Sequence, residues 1–539
     1  MLSQIRNELI DIAKKSRARS TLINTAAGIT AKVINIIAGL VMRVVFLRTL
    51  GIEYTGVSGL FTDVLLILSF AELGISGAIA YSLYKPIAEK NTARVAALMN
   101  FYKSAYRIVA AVVMVGGLCF IPFLGYVVKD VPDIKENIIL LYVLYVINSA
   151  VSYLFIYKST LFTANQEHHF VSWIQIAISV IRSVVECILL FVFRNFLVYL
   201  IFGILVTCLQ NVLISIFADK RYPELKTKSR EKLSKEDRKY IFKDVRALMI
   251  YKICNSLLFG CDSVIISSVI GTGWVGYLSN YTLVTSKISN LTNQFYSSCT
   301  PSIGNLAATD NDRQYSTFKV LQFTAFWFTT FCAVSFVVML NPFVELVFGP
   351  QYVCSMVLVI VLSTHYYMTS LIQPVTSFRD ANGLFVQGKY RPVFMCIINI
   401  GLSIVLALVW GRSDAQWGVI GVKIATIVSQ LCTLQWFDPY LIYKNIFKKS
   451  LFKYFKKTLL YFTTAAVLAA ATWGLGHLIE TVFSPGTYVI FAIKLLLCII
   501  VPNVSIFLLF RKTPEFAGFM ETLKNIFAKK KAKKAAAKA

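Results

Sequence analysis

Apolar runs of roughly 20 residues recur along the whole chain, from near Leu22 to near Phe510. Each is long enough to cross a bilayer as a helix, and in lipid only a helix or a closed barrel satisfies its own backbone. Fourteen such spans are expected, near 22–47, 57–84, 107–128, 137–161, 171–193, 197–218, 247–270, 276–300, 320–341, 353–378, 392–410, 418–443, 458–480 and 487–510. Composition agrees. The 539 residues are 57% hydrophobic and 15% charged, too few charges to cover a water-facing surface. The expected fold class is an all-α polytopic membrane protein without a large soluble domain. The opening "MLSQIRNELIDIAKKSRARS" lacks a short apolar region with a cleavage site, so the first helix is expected to stay.

The net charge is +27, and its location decides what it means. With the N-terminus inside, the cytoplasmic segments hold about 41 Lys and Arg against about 5 in the outer loops. The charge is therefore mainly a topology signal, with both termini cytoplasmic. About 8 cations remain inside spans, near 32, 43, 158, 182, 252, 287, 423 and 494. The tail "AKKKAKKAAAKA" is low-complexity and suits an anionic lipid surface. No aromatic-lined basic module accompanies the charge, so no nucleic-acid partner is expected. The 11 cysteines show no CxxC and no Cys/His metal spacing; Cys254, Cys261 and Cys299 read as small apolar thiols. No metal, cofactor or structural disulfide is expected.

The long basic loop suggests a domain plan. Residues 1–218 form an N-terminal six-helix lobe and 219–246 a cytoplasmic inter-lobe loop. Residues 247–443 form a second lobe, 444–510 an appended helix pair and 511–539 a basic tail. A faint repeat supports two lobes. "KVIN" at Lys32–Asn35 recurs as "KICN" at Lys252–Asn255, and the turn "LGIEYTG" recurs as "IGTGWVG", all at one offset of 220 residues. A parallel repeat of this kind is characteristic of transporters that rock two halves about a central path.

The polar residues inside spans carry the chemistry. Lys32, Asn35, Gly39 and Arg43 fall on one helical stripe, and the two cations lie about 16 Å apart along the axis. Either each snorkels to its own membrane surface, or the stripe lines a water-filled path, since a cation held in lipid costs at least about 2.5–3.5 kcal/mol. Asn280, Lys287, Asn290 and Gln294 share a broad face of the eighth span, which reads as cavity wall or as interhelical hydrogen bonding. Lys252 and Asn255 complete the cationic and polar set. Arg182 and Glu186, at i and i+4, are expected to neutralise each other. Glu72 and Asp262 are candidates for ion coupling, or equally for pairing with Lys32 or Lys252. The excess of cations suits an anionic substrate, with arginine gripping phosphate bidentately. His168 and His169 beside Glu167 lack HExxH geometry and read as loop polarity, and no nucleophile motif or Gly-rich phosphate loop occurs, so no enzyme is expected.

The stretch "LGIEYTGVSGLFTDVLLILSFAELGISGAIAYSLYKPIAEKN", Leu50 to Asn91, resembles the polysaccharide transporter (Wzx-type) family. That family belongs to the multidrug/oligosaccharidyl-lipid/polysaccharide (MOP) exporter superfamily. The resemblance implies flipping of an undecaprenyl-diphosphate-linked oligosaccharide across a bacterial inner membrane by alternating access. It implies coupling to H+ or Na+, action as a monomer, and polysaccharide polymerase or assembly proteins as partners. A lipid II flippase is the second reading and a cation-exporting drug antiporter the third; a non-transport membrane enzyme comes last.

Overall fold

The computed structural model describes residues 34–68, 82–83, 86–87, 89, 91–129, 134–154, 156–165, 167–223, 253–254, 256–258, 260–309, 311–384, 387–388, 390–483 and 486–524. Every regular element among them is helical. In chain order these are α1 (34–50), α2 (Ile52–Leu68), α3 (Thr92–Cys119), α4 (Ile138–Tyr153), α5 (Ile156–Ala164), α6 (His168–Phe193) and α7 (Phe196–Arg221). They continue with α8 (Ser256–Val269), α9 (Thr272–Thr309), α10 (Asn311–Val347), α11 (Met356–Leu371), α12 (Gln373–Ala381), α13 (Arg391–Trp410), α14 (Ala415–Cys432) and α15 (Leu434–Ile442). The last are α16 (Leu451–Phe483), α17 (Thr487–Phe510) and α18 (514–524).

Among the described residues, 10 helical stretches are long and apolar enough to cross a membrane. They match ten of the fourteen expected spans. Of the other four, α1 and α2 adjoin residues outside the described set, and α8 is a short apolar helix. The fourth, α9, is long at 38 residues but too polar to count with the ten.

Helix starts follow side-chain capping. Asn91, Asn137 and Asn195 each accept a hydrogen bond from the first-turn backbone N–H groups of α3, α4 and α7. An amide oxygen there satisfies donors that lipid cannot. The expected twelfth span, 418–443, is three pieces: α14 ends at Cys432 with Thr433 as its cap, α15 carries Pro439, and a π-turn follows over Tyr443–Phe447. Proline removes a backbone donor, and the altered ladder bends the chain.

By contacts the chain forms two compact units, residues 1–276 and 277–539. The segment around α8, expected to open the second lobe, packs with the first unit. Ser263 Oγ donates to Asp63 on α2, and Gly260 fits against the Asp63 backbone and Ile67. The first unit's core joins Val57, Phe61 and Val64 of α2 to Tyr142 and Val146 of α4 and Phe196 of α7. Large apolar side chains such as Ile181, Val184, Ile188 and Phe191 stay exposed on one face of α6, as a lipid-facing surface requires.

The repeated turns meet within this unit. Gly51 and Gly271 end α1 and α8 at φ of +96° and +150°, a region L-residues avoid. A Cβ on Gly56 would lie 2.2 Å from the Thr272 carbonyl oxygen, and one on Gly276 would lie 2.7 Å from that of Ile52. Positions 52 and 272, like 56 and 276, are 220 residues apart. The contact is therefore reciprocal, as a two-fold relation between repeats produces. Tyr54 anchors the first turn, donating to Glu136 Oε2 at 2.5 Å and packing edge-on to Phe196.

The second unit centres on α10. Its Phe326 stacks on Tyr461 of α16 at 4.0 Å, and Trp327 Nε1 donates to Asn503 Oδ1 of α17 at 2.8 Å. The helix pair expected as an appendage is thus packed on α10. Nearby, Asp438 is fully buried and its Oδ2 accepts from Arg379 at 2.6 Å and Arg391 at 2.7 Å, joining α12, α13 and α15.

Two stability predictions follow from these contacts. Gly56→Ala should destabilise the detergent-solubilised protein by about 1–3 kcal/mol, because backbone atoms block the new methyl. Gly39→Ala, with open space around its Cβ, should leave thermal unfolding unchanged. Asp438→Asn should cost about 3–5 kcal/mol by leaving two buried guanidinium groups without their shared carboxylate, read by the same melt.

Candidate functional site

The expected stripe on the opening helix turns toward α6 and α7 of its own unit. Ser179 Oγ of α6 donates to Asn35 Oδ1 at 2.5 Å, and Met42 touches Cys187. Two turns beyond Asn35, Arg43 reaches toward the Gly276 carbonyl at 3.5 Å. Its charge interacts with Tyr145 and Tyr199. Lys32, at the inner end of the stripe, lies outside the described residues, as do Glu72, Lys252 and Asn255.

On α6, Ser179, Arg182 and Glu186 follow at i, i+3 and i+7, opposite the exposed apolar face. Arg182 Nε donates to Glu186 Oε1 at 2.7 Å, the pairing that the i, i+4 spacing predicts. Gly203 of α7 makes room for it: a Cβ there would come within 3.1 Å of Arg182 Nη2. Tyr145 and Tyr199 interact with Arg43, Arg182 and Glu186 alike. The Tyr145 hydroxyl donates to Ser58 Oγ of α2 at 2.7 Å.

The first unit therefore gathers two guanidinium groups and one carboxylate with phenolic and seryl hydroxyls, from five helices. The arginine forks supply the planar donors that grip a phosphate, and the hydroxyls turn to donate or accept. Among the described residues, Lys158 also meets Asp219 at 2.7 Å and Lys494 meets Glu480 at 2.7 Å.

The second expected polar face lies on α9, in the second unit from Tyr277 onward. Asn280 is buried, Lys287 is half-buried, and Asn290 and Gln294 are exposed. The many hydroxyls beside them bond back to their own helix: Thr282 to Leu278, Thr292 to Ile288 and Ser298 to Phe295. Such back-bonding meets hydroxyl demand within the helix, and Thr292 also meets the Tyr366 hydroxyl of α11 at 3.5 Å. The long amides and Lys287 are what this face presents. Asp262 of α8 is buried, beside the Ser263–Asp63 hydrogen bond. His168 and His169, expected in a loop, open α6, and Glu167 before them pairs with Arg221 at 2.7 Å.

Tyr145, Tyr199, Ser58 and Ser179 were not expected in the site. The i, i+3, i+7 spacing of Ser179, Arg182 and Glu186 was a usable signal on α6. The tyrosines carried none, because buried, interfacial and site tyrosines look alike in a sequence.

With helices of this length and apolarity, the chain is a multi-pass membrane protein. Its fold is that of the MOP superfamily transporters. A structure of "Lipid II flippase MurJ, inward closed conformation" superposes with a TM-score of 0.62 at 13% identity, covering 91% of this chain and 99% of that one. An inward-facing multidrug resistance MATE family transporter of the MOP superfamily gives 0.57 at 13%, covering 77% and 96%. The Vibrio cholerae MATE transporter VcmN gives 0.53 at 11%, covering 81% and 99%. None of the curated proteins matches the chain. The family model described as "Polysaccharide biosynthesis protein" matches residues 21–306, over half of the sequence, and the chain belongs to that family.

If Glu186 is held by Arg182, removing the arginine should hurt more than removing both. Arg182→Ala should destabilise the protein by roughly 1–3 kcal/mol, the partly exposed guanidinium lowering the cost. Arg182→Ala with Glu186→Ala should recover part of that loss in thermal unfolding. A double-variant loss equal to the sum of the Arg182→Ala and Glu186→Ala losses would show that the pair is not coupled.

Proposed function

We propose that this protein is a flippase. It moves an undecaprenyl-diphosphate-linked oligosaccharide from the inner to the outer leaflet of a bacterial cytoplasmic membrane. The observation that carries this reading is the cluster of Arg43 and Arg182 with one carboxylate among hydroxyls, Arg182 and Glu186 lying inside the apolar span Phe170–Phe193. A cation retained at bilayer depth is costly, and its retention marks a substrate or ion path. A diphosphate needs cationic, fork-shaped partners; the glycan needs polar surface, which the exposed Asn290 and Gln294 supply. The prenyl chain needs only lipid.

The family description favours polysaccharide precursors over the other cargoes of the superfamily. At 13% identity the likeness to the lipid II flippase supports the fold and leaves the cargo to the site. A cation exporter would call for acidic residues where this chain has arginines. In this reading Lys32, Asn35, Lys252 and Asn255 are candidate cargo contacts of the first unit, and Asn280 and Lys287 are candidates in the second. Glu72 and Asp262 are the carboxylates for coupling to H+ or Na+.

Arg43→Ala and Arg43→Lys separate charge from shape. In cells dependent on the protein for surface polysaccharide, Arg43→Ala should abolish export at wild-type membrane abundance. Arg43→Lys should restore only a minor fraction, because an ammonium keeps the charge and loses the fork. Export at wild-type rate in the alanine variant would end the anion-path reading. Asp262→Asn should remove the dependence of export on the ion gradient, and an unchanged gradient response would assign Asp262 a structural role.

A further inference from the structure

A second cationic site lies in the second unit, apart from the residues assigned above. The ends of α10, α16 and α18 and the π-turn at Tyr443 enclose a cavity of about 190 Å³. Lys319, Lys453 and Lys457 line it, against one carboxylate, Glu515. Lys457 is paired with Glu515. Burial pushes the Glu515 carboxyl up, but hydrogen bonds from Lys457 and the backbone hold it below the usual range. Three cations and one ionised acid leave the cavity positive.

Its lining holds two buried polar atoms without a hydrogen-bond partner. Tyr461 is 1% exposed, and its hydroxyl has no hydrogen-bond partner. Gln322 is 5% exposed; its Nε2 donates to the Leu371 carbonyl at 3.1 Å while its Oε1 has no partner. A buried hydroxyl left without a partner costs about 1–3 kcal/mol, so a ligand that accepts from it recovers that loss. Lys319 and Lys449 are held over the Tyr315 ring, at 5.2 Å and 4.0 Å, which keeps both ammonium groups near the cavity rather than free in solvent. The first turn of α16 carries Lys453 and Tyr454, so the positive end of that helix faces the same cavity.

We infer that this cavity binds a phosphate group at the membrane surface, held by Lys319, Lys453 and Lys457 and by the Tyr461 hydroxyl. By the Lys/Arg bias of the loops this is the cytoplasmic surface. Lysines act there as point charges on the phosphate oxygens, and Tyr461 donates to one of them. An anionic phospholipid headgroup and a soluble phosphate ester share this chemistry. The inference stands apart from the transported cargo, because Arg43 and Arg182 take no part in it.

Native mass spectrometry of the full-length protein from nanodiscs tests it, with phosphatidylglycerol in a phosphatidylcholine background. The wild type should retain phosphatidylglycerol in preference to phosphatidylcholine. Lys319→Gln combined with Lys453→Gln should cut that retention about thirtyfold, at roughly 1 kcal/mol per lysine. Tyr461→Phe, which keeps the ring and its stack on Phe326, should lower it several-fold. Competition with inorganic phosphate and glycerol phosphate distinguishes the sources. Displacement by either, with the same sensitivity to the variants, assigns the site to a soluble phosphate; failure to displace assigns it to lipid. Equal retention of the two lipids by the wild type, with no phosphate binding, overturns the site. So does phosphatidylglycerol retention unchanged in both variants.

Discussion

Charge at bilayer depth has to be paired or wetted, and both units are organised around that requirement. In the first unit Arg182 is held by Glu186, Lys158 by Asp219, and Ser263 donates to Asp63. In the second, Asp438 sits between Arg379 and Arg391 with no exposure to solvent. Apart from Arg182–Glu186, which lies within α6, these contacts tie helices that hydrophobic packing alone would hold weakly, since lipid tails are as apolar as the side chains they would replace. The pairs thus place helices as well as charges. In the first unit Arg43 and Arg182 come together with Glu186 and the hydroxyls of Tyr145 and Tyr199.

The repeated turns show the same economy in backbone form. Gly51 and Gly271 take φ values that L-residues avoid, and Gly56 and Gly276 each accept the backbone of the other turn at a distance no Cβ permits. Without side chains to intervene, two backbones approach closely, as small residues allow in membranes. The close approach explains why the turn motif keeps one register across the repeat. A shift by one residue would drive a Cβ into a carbonyl.

Much of the fold was legible in the sequence, for reasons that can be named. Span length and hydropathy marked the ten long helices because lipid imposes the helix and its length together. The Arg182–Glu186 pair was legible because i, i+4 is a local geometry. The turn repeat was legible because glycine is the residue that a positive φ selects. The Asp438 triad was not legible. Its partners are 47 and 59 residues away, and no local rule brings them together. Nor was the polarity of α9 readable in full, because hydroxyls that bond back to their own helix look the same in sequence as hydroxyls that face a cavity.

By itself, then, the sequence determined a membrane-spanning helical chain, its charge bias, its repeated glycine turn and a surplus of cations within apolar helices. These follow from local physics: transfer of apolar surface, backbone satisfaction and helical periodicity. Tertiary structure decided which distant carboxylate a cation meets, as Lys158 meets Asp219. It decided that Tyr145, Tyr199 and Ser58 join Arg43 and Arg182. It also decided that three lysines and a buried tyrosine enclose a cavity beside α16. Those outcomes depend on which helix faces lie together, and side-chain packing between distant segments sets that.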